Sequence, residues 1–310
     1  MRVLVVGAGA IGGYFGGRLL DAGRDVTFLV RERRAAQLAK TGLVIRSELG
    51  DVAIPAPPTV RAETLREPFD LILLSCKAYD LASAMDSFAP AVGPNTAILP
   101  LLNGMAHLDA LAARFGAAAV LGGQCLISVT LDAEGRILHL NDTHLMSFGE
   151  QDSSKSARVQ AIAATLSNAR FDAQLSTAIL QEMWEKWAFI ASAAGICCLM
   201  RAPFGDIVAA GAGDLSVAMH DECCAIATAN GFAPGKPTIE RSRAMFTAPG
   251  SPITASMLRD IERGAPIEAD HVVGDLLRRG GGQSRDYPLL RIAYANLKAY
   301  EARRKREKAA

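Results

Sequence analysis

The chain has 310 residues, half of them hydrophobic, and 33 Lys and Arg against 32 Asp and Glu leave a formal net charge of +1. That length supports two domains with cores of their own, and the charge balance offers no electrostatic footprint for nucleic acid or for an acidic membrane surface. No apolar stretch reaches the roughly 18 residues of a membrane span, and the six cysteines, without a CxxC pair, suggest neither a zinc ribbon nor a disulfide framework but reduced thiols in a cytoplasm.

The first predicted element is a strand over Arg2–Val6, which runs straight into Gly7-Ala8-Gly9-Ala10-Ile11-Gly12 and then a helix over Ile11–Ala22. In that order the glycines form a dinucleotide grip. Gly7 permits the turn, Gly9 lets the backbone approach a pyrophosphate, and Gly12 lets the helix pack close to the sheet, with the amides around Ala10 and Ile11 facing the phosphates. A second strand, Asp25–Val30, ends at Arg31, where an NAD-selective site carries an acidic residue. Arg31, followed by Arg33 and Arg34, suits a 2′-phosphate, so the expected cofactor is NADP(H); a solvated basic helix start is the alternative, and Glu32 argues for it.

Further strands are predicted at Leu43–Ile45, Leu71–Cys76, Ala97–Leu102, Ala119–Leu121, Ile127–Leu131, Ile137–Leu140 and Met146–Phe148, with helices at Arg33–Lys40, Leu81–Phe88 and His107–Phe115. Strands alternating with helices indicate an α/β, Rossmann-type doubly wound domain, with the later strands as antiparallel additions at one edge. Lys77 and Asn103 close two of these strands, where a doubly wound fold places its ligand, although a plain loop role fits them equally. His139 and His144 flank Asn141 and Asp142 without metal-ligand spacing and read as loop residues.

After the polar break at residues 151–154 the periodicity becomes helical, which places a domain boundary between residues 1–152 and an all-α domain at 153–310. Helices are predicted at Ser156–Ala169, Ile179–Ala193, Gly205–Ala209, Leu215–Asn230, Pro237–Phe246, Pro266–Arg279 and Pro288–Arg306. The basic run at residues 303–308 reads as the solvated end of the last helix. Lys186 stands among Trp184, Trp187, Phe189 and Ile190, either as a snorkelling side chain or, in a closed cleft, as a desolvated acid that can donate a proton near neutrality. Ser256 and Glu268 are twelve positions apart, a spacing that by itself reveals nothing, and the plain readings are a helix cap for Ser256 and surface charges for Asp260 and Glu268.

Taken together, GAGAIGG at Gly7–Gly13, CKAYD at Cys76–Asp80, LLNGM at Leu101–Met105, WEKW at Trp184–Trp187 and SMLRDIERGAPIEAD at Ser256–Asp270 resemble the ketopantoate reductase (2-dehydropantoate 2-reductase) family over nearly the whole chain. The resemblance implies NADPH-dependent reduction of 2-dehydropantoate to pantoate, in pantothenate biosynthesis. Lys186 matches the family's catalytic lysine, a general acid that polarises the keto oxygen, and Glu268 the acidic residue supporting it. Ser256 matches a substrate-binding serine, Lys77 and Asn103 residues near nicotinamide and substrate, and Arg31 the 2′-phosphate contact.

Three family asparagines are replaced, by Ile190 and Ala194 on the lysine's helix and by Ile253 before the serine. The pocket is therefore expected to be more apolar. That motivates a second reading, a reductase of another 2-oxo acid with an apolar side chain. A third is a non-catalytic NADP(H)-binding regulator, against which the presence of both Lys186 and Glu268 argues. The expected partner is a small-molecule 2-oxo acid, with neither nucleic acid nor membrane, and the apolar helices of the second half are compatible with a homodimer.

Overall fold

A computed structural model describes residues 1–281 and 286–309. The chain divides into two compact units, Met1–Leu102 with His107–Ile179, and Asn103–Ala106 with the chain from Leu180 onward. The polar break expected to separate the domains falls inside the first unit. The reason is β10, which lies beyond the break yet pairs parallel with β9 before it.

In the first unit the elements are β1 (Val3–Val6), α1 (Ala10–Asp21), β2 (Val26–Leu29), α2 (Glu32–Thr41), β3 (Leu43–Arg46), β4 (Val52–Ile54), β5 (Thr59–Val60), β6 (Leu71–Leu74), α3 (Leu81–Phe88), β7 (Ala97–Pro100), α4 (Ala106–Phe115), β8 (Gly122–Leu131), β9 (Ile137–Gly149), α5 (Ala157–Leu166) and β10 (Asp172–Leu175). Strands β5-β2-β1-β6-β7 form a parallel sheet. Its strand order reverses beside β1, which makes the carboxyl ends of β1 and β6 the topological switch point where such sheets bind ligands.

The later strands do not extend that sheet as edge additions. Strand β3 leaves it to pair with β9, and β10-β9-β3-β4, with β8 on β9, make a second, mixed sheet. An isolated parallel bridge pairs Ile98 of β7 with Val120, just ahead of β8. Helix α1 is hydrophobic on opposite sides because it serves both sheets. A Cβ at Gly16 would come within 2.6 Å of Phe28 and one at Gly17 within 2.7 Å of Leu43, so bare backbone is what lets both sheets approach. Tyr14, Phe15, Phe28 and Phe148 are fully buried in the resulting core. Each such side chain contributes about 1.5–3 kcal/mol by leaving water.

The second unit is helical: α6 (Ile179–Met200), whose first residue still belongs to the first unit, then α7 (Phe204–Ala209), α8 (Gly213–Ala229), α9 (Lys236–Phe246), α10 (Ser256–Glu262), a π-helical turn at Asp270–Gly274, α11 (Asp275–Arg279) and α12 (Pro288–Ala309). Helix α6 is apolar through Ala191–Cys198 except for Ser192, whose hydroxyl donates to the Ala188 carbonyl, and is accordingly buried there. It stops where Arg201 turns left-handed (φ 55°) and the Ala202 amide donates back to the Cys197 carbonyl. Among the described residues no helix is long and apolar enough to cross a membrane.

Candidate active site

In the first unit the glycine turn sits directly beyond β1. Gly7 has φ +93°, and its amide donates to the Leu29 carbonyl at 2.9 Å, which fixes the turn to β2. Helix α1 then begins at Ala10 behind Gly9, with no side chain capping its first amides. A Cβ at Gly9 would meet nothing within 4 Å, whereas one at Gly12 would strike the Gly7 carbonyl and Ser75 Oγ. An open, uncapped helix N-terminus over a tight turn presents N–H donors and a favourable dipole to an anion, and the residues present fit a pyrophosphate.

The three arginines after β2 have separate fates. Arg34 Nε donates to the Ala8 carbonyl at 2.9 Å and Nη1 to the Gly135 carbonyl at 3.1 Å, so this side chain braces the turn from beneath. Arg33 is exposed. Arg31, at the start of α2, reaches instead to the far side of β1, where its Nη2 donates to Asp80 Oδ1 at 2.9 Å and to Ser83 Oγ at 3.3 Å. Lys77, half-buried, follows β6 at the head of a short turn over Ala78–Asp80.

In the second unit a cavity of about 160 Å³ is lined by Asn103, Phe189, Ile190, Ala193, Ala194, Phe204, Ile253, Thr254, Ala255, Ser256, Met257, Asp260, Glu268 and Val272. Four of these stand three, four, seven and eight positions after Lys186, on the lysine's own helical stripe. Lys186, half-buried, therefore sits one turn from the cavity and on the same face. The roll of α6 is fixed on either side of it. Trp187 Nε1 donates to the Val272 carbonyl at 2.7 Å, while the Glu185 carboxylate turns away to accept from the Gly235 amide at 2.9 Å and from Thr238 Oγ1 at 2.8 Å at the start of α9.

The other walls come from loops and helix starts. The Phe204 amide donates to the Ile253 carbonyl at 3.0 Å and the Gly205 amide to the Ser251 carbonyl at 2.9 Å, which pins the segment carrying Ile253 against α7. Ser256 is the first residue of α10, where it is exposed and does not cap the helix, and Asp260 follows one turn later. Glu268 precedes the π-helical turn. Asn103 arrives on the short segment after β7, where Gly104 (φ +80°) packs against His271 so closely that a Cβ would lie 2.8 Å from the His271 carbonyl oxygen.

Asn103, Ser256 and Glu268 thus share one cavity with Ile190, Ala194 and Ile253, while Lys77, Arg31 and the glycines are gathered at the switch point of the parallel sheet. Asp260, which reads from the sequence as a surface charge, brings a second carboxylate to the cavity. His271 escapes sequence reading and leaves no spacing signal. Burial pushes its imidazole below the ordinary 6.5, while the charges of Glu268 and Asp275 and a hydrogen bond with the Asn103 main chain pull the other way.

Family models described as ketopantoate reductase PanE/ApbA and its C-terminal domain match residues 3–153 and 178–301. The chain belongs to the ketopantoate reductase family. An uncharacterized oxidoreductase, YkpB of Bacillus subtilis, is 39% identical over 304 residues, covering 97% of this chain and 99% of its own. A 2-dehydropantoate 2-reductase of Mesorhizobium japonicum is 29% identical over 90% of this chain and 91% of its own. Among solved structures, 2-dehydropantoate 2-reductase from Methylococcus capsulatus superimposes with a TM-score of 0.86 at 30% identity, covering 98% of both chains. As a member of the ketopantoate reductase family, the chain is an oxidoreductase with a Rossmann-type first half and a helical second half.

Proposed function

We propose that the chain is an NADPH-dependent 2-oxo acid reductase that turns the keto group of 2-dehydropantoate into the alcohol of pantoate. The observation that carries this reading is the stripe of α6 leading from Lys186 into a cavity walled by Asn103, Ser256 and Glu268. The glycine turn, Lys77 and Arg31 would hold the cofactor, which when bound supplies hydride to the carbonyl carbon. The Lys186 ammonium donates a hydrogen bond to the keto oxygen and then its proton, so that negative charge never accumulates on that oxygen. Glu268 balances the lysine's charge and accepts from the forming hydroxyl. Asn103 and Ser256 orient the substrate by donating to its oxygens, which fixes the carbonyl against the lysine.

Oxidation of NADPH by the purified protein, followed with 2-dehydropantoate, tests the reading. Saturable turnover that is lost in Lys186→Ala, with NADPH binding retained, supports it; near-normal turnover of that variant overturns it. A second reading, a different 2-oxo acid with a branched apolar side chain, is favoured by Ile190, Ala194 and Ile253 in the cavity wall. Turnover of 2-oxoisovalerate with silence on 2-dehydropantoate would select it.

A further inference from the structure

Strands β2 and β6 lie on either side of β1, about 10 Å apart across the sheet. The residues beyond their carboxyl ends nevertheless meet. Arg31 and Asp80 pair at 2.9 Å, bridging the strand that carries the glycine turn. Asp80 occupies the residue before α3, where an aspartate normally accepts from the helix's own first amides, yet its carboxylate makes no capping bond. It is turned to Arg31 instead. Ser83 completes the arrangement, donating to the Asp80 carbonyl at 3.0 Å while accepting from Arg31. Both side chains are accessible, Arg31 at 73% and Asp80 at 36% exposure, so the pair is open to an incoming ligand.

We propose that Asp80 is a specificity-determining residue that weakens the discrimination between NADPH and NADH. This inference rests on the reading that Arg31 faces the 2′ position of the cofactor. A 2′-phosphate carries a charge of about −1.5 to −2, and it must share the Arg31 donors with a carboxylate that also repels it. A 2′-hydroxyl meets the opposite situation. It can donate to Asp80, the bond that an acidic residue provides in NAD-selective sites of this fold. Arg31 therefore favours the phosphorylated cofactor, and Asp80 offsets part of that preference while giving the unphosphorylated one a partner.

The experiment measures dissociation constants of the binary complexes with NADPH and NADH by fluorescence, without substrate, for the native chain, Asp80→Asn and Arg31→Ala. Asn retains the shape and one acceptor while removing the charge. NADPH should bind on the order of tenfold tighter to Asp80→Asn, NADH should bind no tighter, and the gain should shrink at high salt because it is electrostatic. If the amide variant misfolds, Asp80→Ala is expected to shift the ratio in the same direction. Weaker NADPH binding in both variants would mean that Asp80 only orients Arg31, and an unchanged ratio would remove any role in selectivity; either overturns the proposal. If Arg31→Ala affects both nucleotides equally, the reading of Arg31 fails first and this inference fails with it.

Discussion

The Trp187 indole and the Val272 carbonyl meet at 2.7 Å, and this single bond ties the helix bearing Lys186 to the π-helical turn that follows Glu268. Trp187 is fully buried and Val272 lines the cavity. Trp187→Phe keeps most of the packing but leaves that carbonyl buried without its donor. A loss of about 1–3 kcal/mol of stability is expected in urea denaturation, with a raised KM as the turn and its glutamate loosen.

Gly12→Ala places a methyl group where the Gly7 carbonyl and Ser75 Oγ already stand. Backbone cannot yield as a flexible side-chain tip can. The variant should lose most affinity for NADPH in a fluorescence titration, because relieving the clash moves α1 away from the turn whose amides face the phosphates. Native-like affinity would show that the turn can give elsewhere.

Restoring polarity to the lysine's stripe should redirect the substrate. In Ile190→Asn combined with Ala194→Asn, two amides enter the cavity wall within reach of substrate oxygens. The ratio of kcat/KM for 2-dehydropantoate over 2-oxoisovalerate is expected to rise by ~10-fold or more, since sites that hydrogen-bond a hydroxyl discriminate more sharply than apolar walls do. An unchanged ratio would place the determinant at Ile253 or beyond the stripe.

Acid should destabilise the fold before its carboxylates titrate. His220 is 1% exposed, and burial holds its imidazole below the ordinary 6.5, as it does for His144 and His271. Below that ordinary value the unfolded chain binds protons that the folded chain refuses, so stability is fully present above it and falls as pH drops toward the native-state values. Urea midpoints should therefore be lower at about pH 5.5 than at neutrality. The drop should be smaller in His220→Gln.

Much of the first unit was legible because its local chemistry and its fold agree. An apolar strand, the spacing of Gly7, Gly9 and Gly12, and helical periodicity each require only near neighbours. What escaped the sequence depends on partners far along the chain. Strands β4, β5 and β10 are two to four residues long and exist only through pairing, and β8 and β9 are longer than their apolar runs because the ladder carries polar residues such as Gln124 and His144 with it. The expected helix at Pro266–Arg279 begins later and opens with a π turn, whose widened hydrogen bonding has no local code. At the candidate site, residue types were readable, but the commitment of Arg31 to Asp80 and of Arg34 to Ala8 and Gly135 was not, since each joins residues far apart in the sequence.

The four residues Asn103–Ala106 belong to the second unit although the chain on either side of them belongs to the first. The halves are consequently not exchangeable cassettes. A fragment beginning at Leu180 would carry Lys186, Ser256 and Glu268 but would lack the wall that Asn103 contributes. A chimaera joined at the polar break would leave Asn103 with one parent and its neighbour His271 with the other. Divergence at Asn103 and at the π turn is thereby constrained to proceed jointly, across a gap of more than a hundred and sixty residues of sequence.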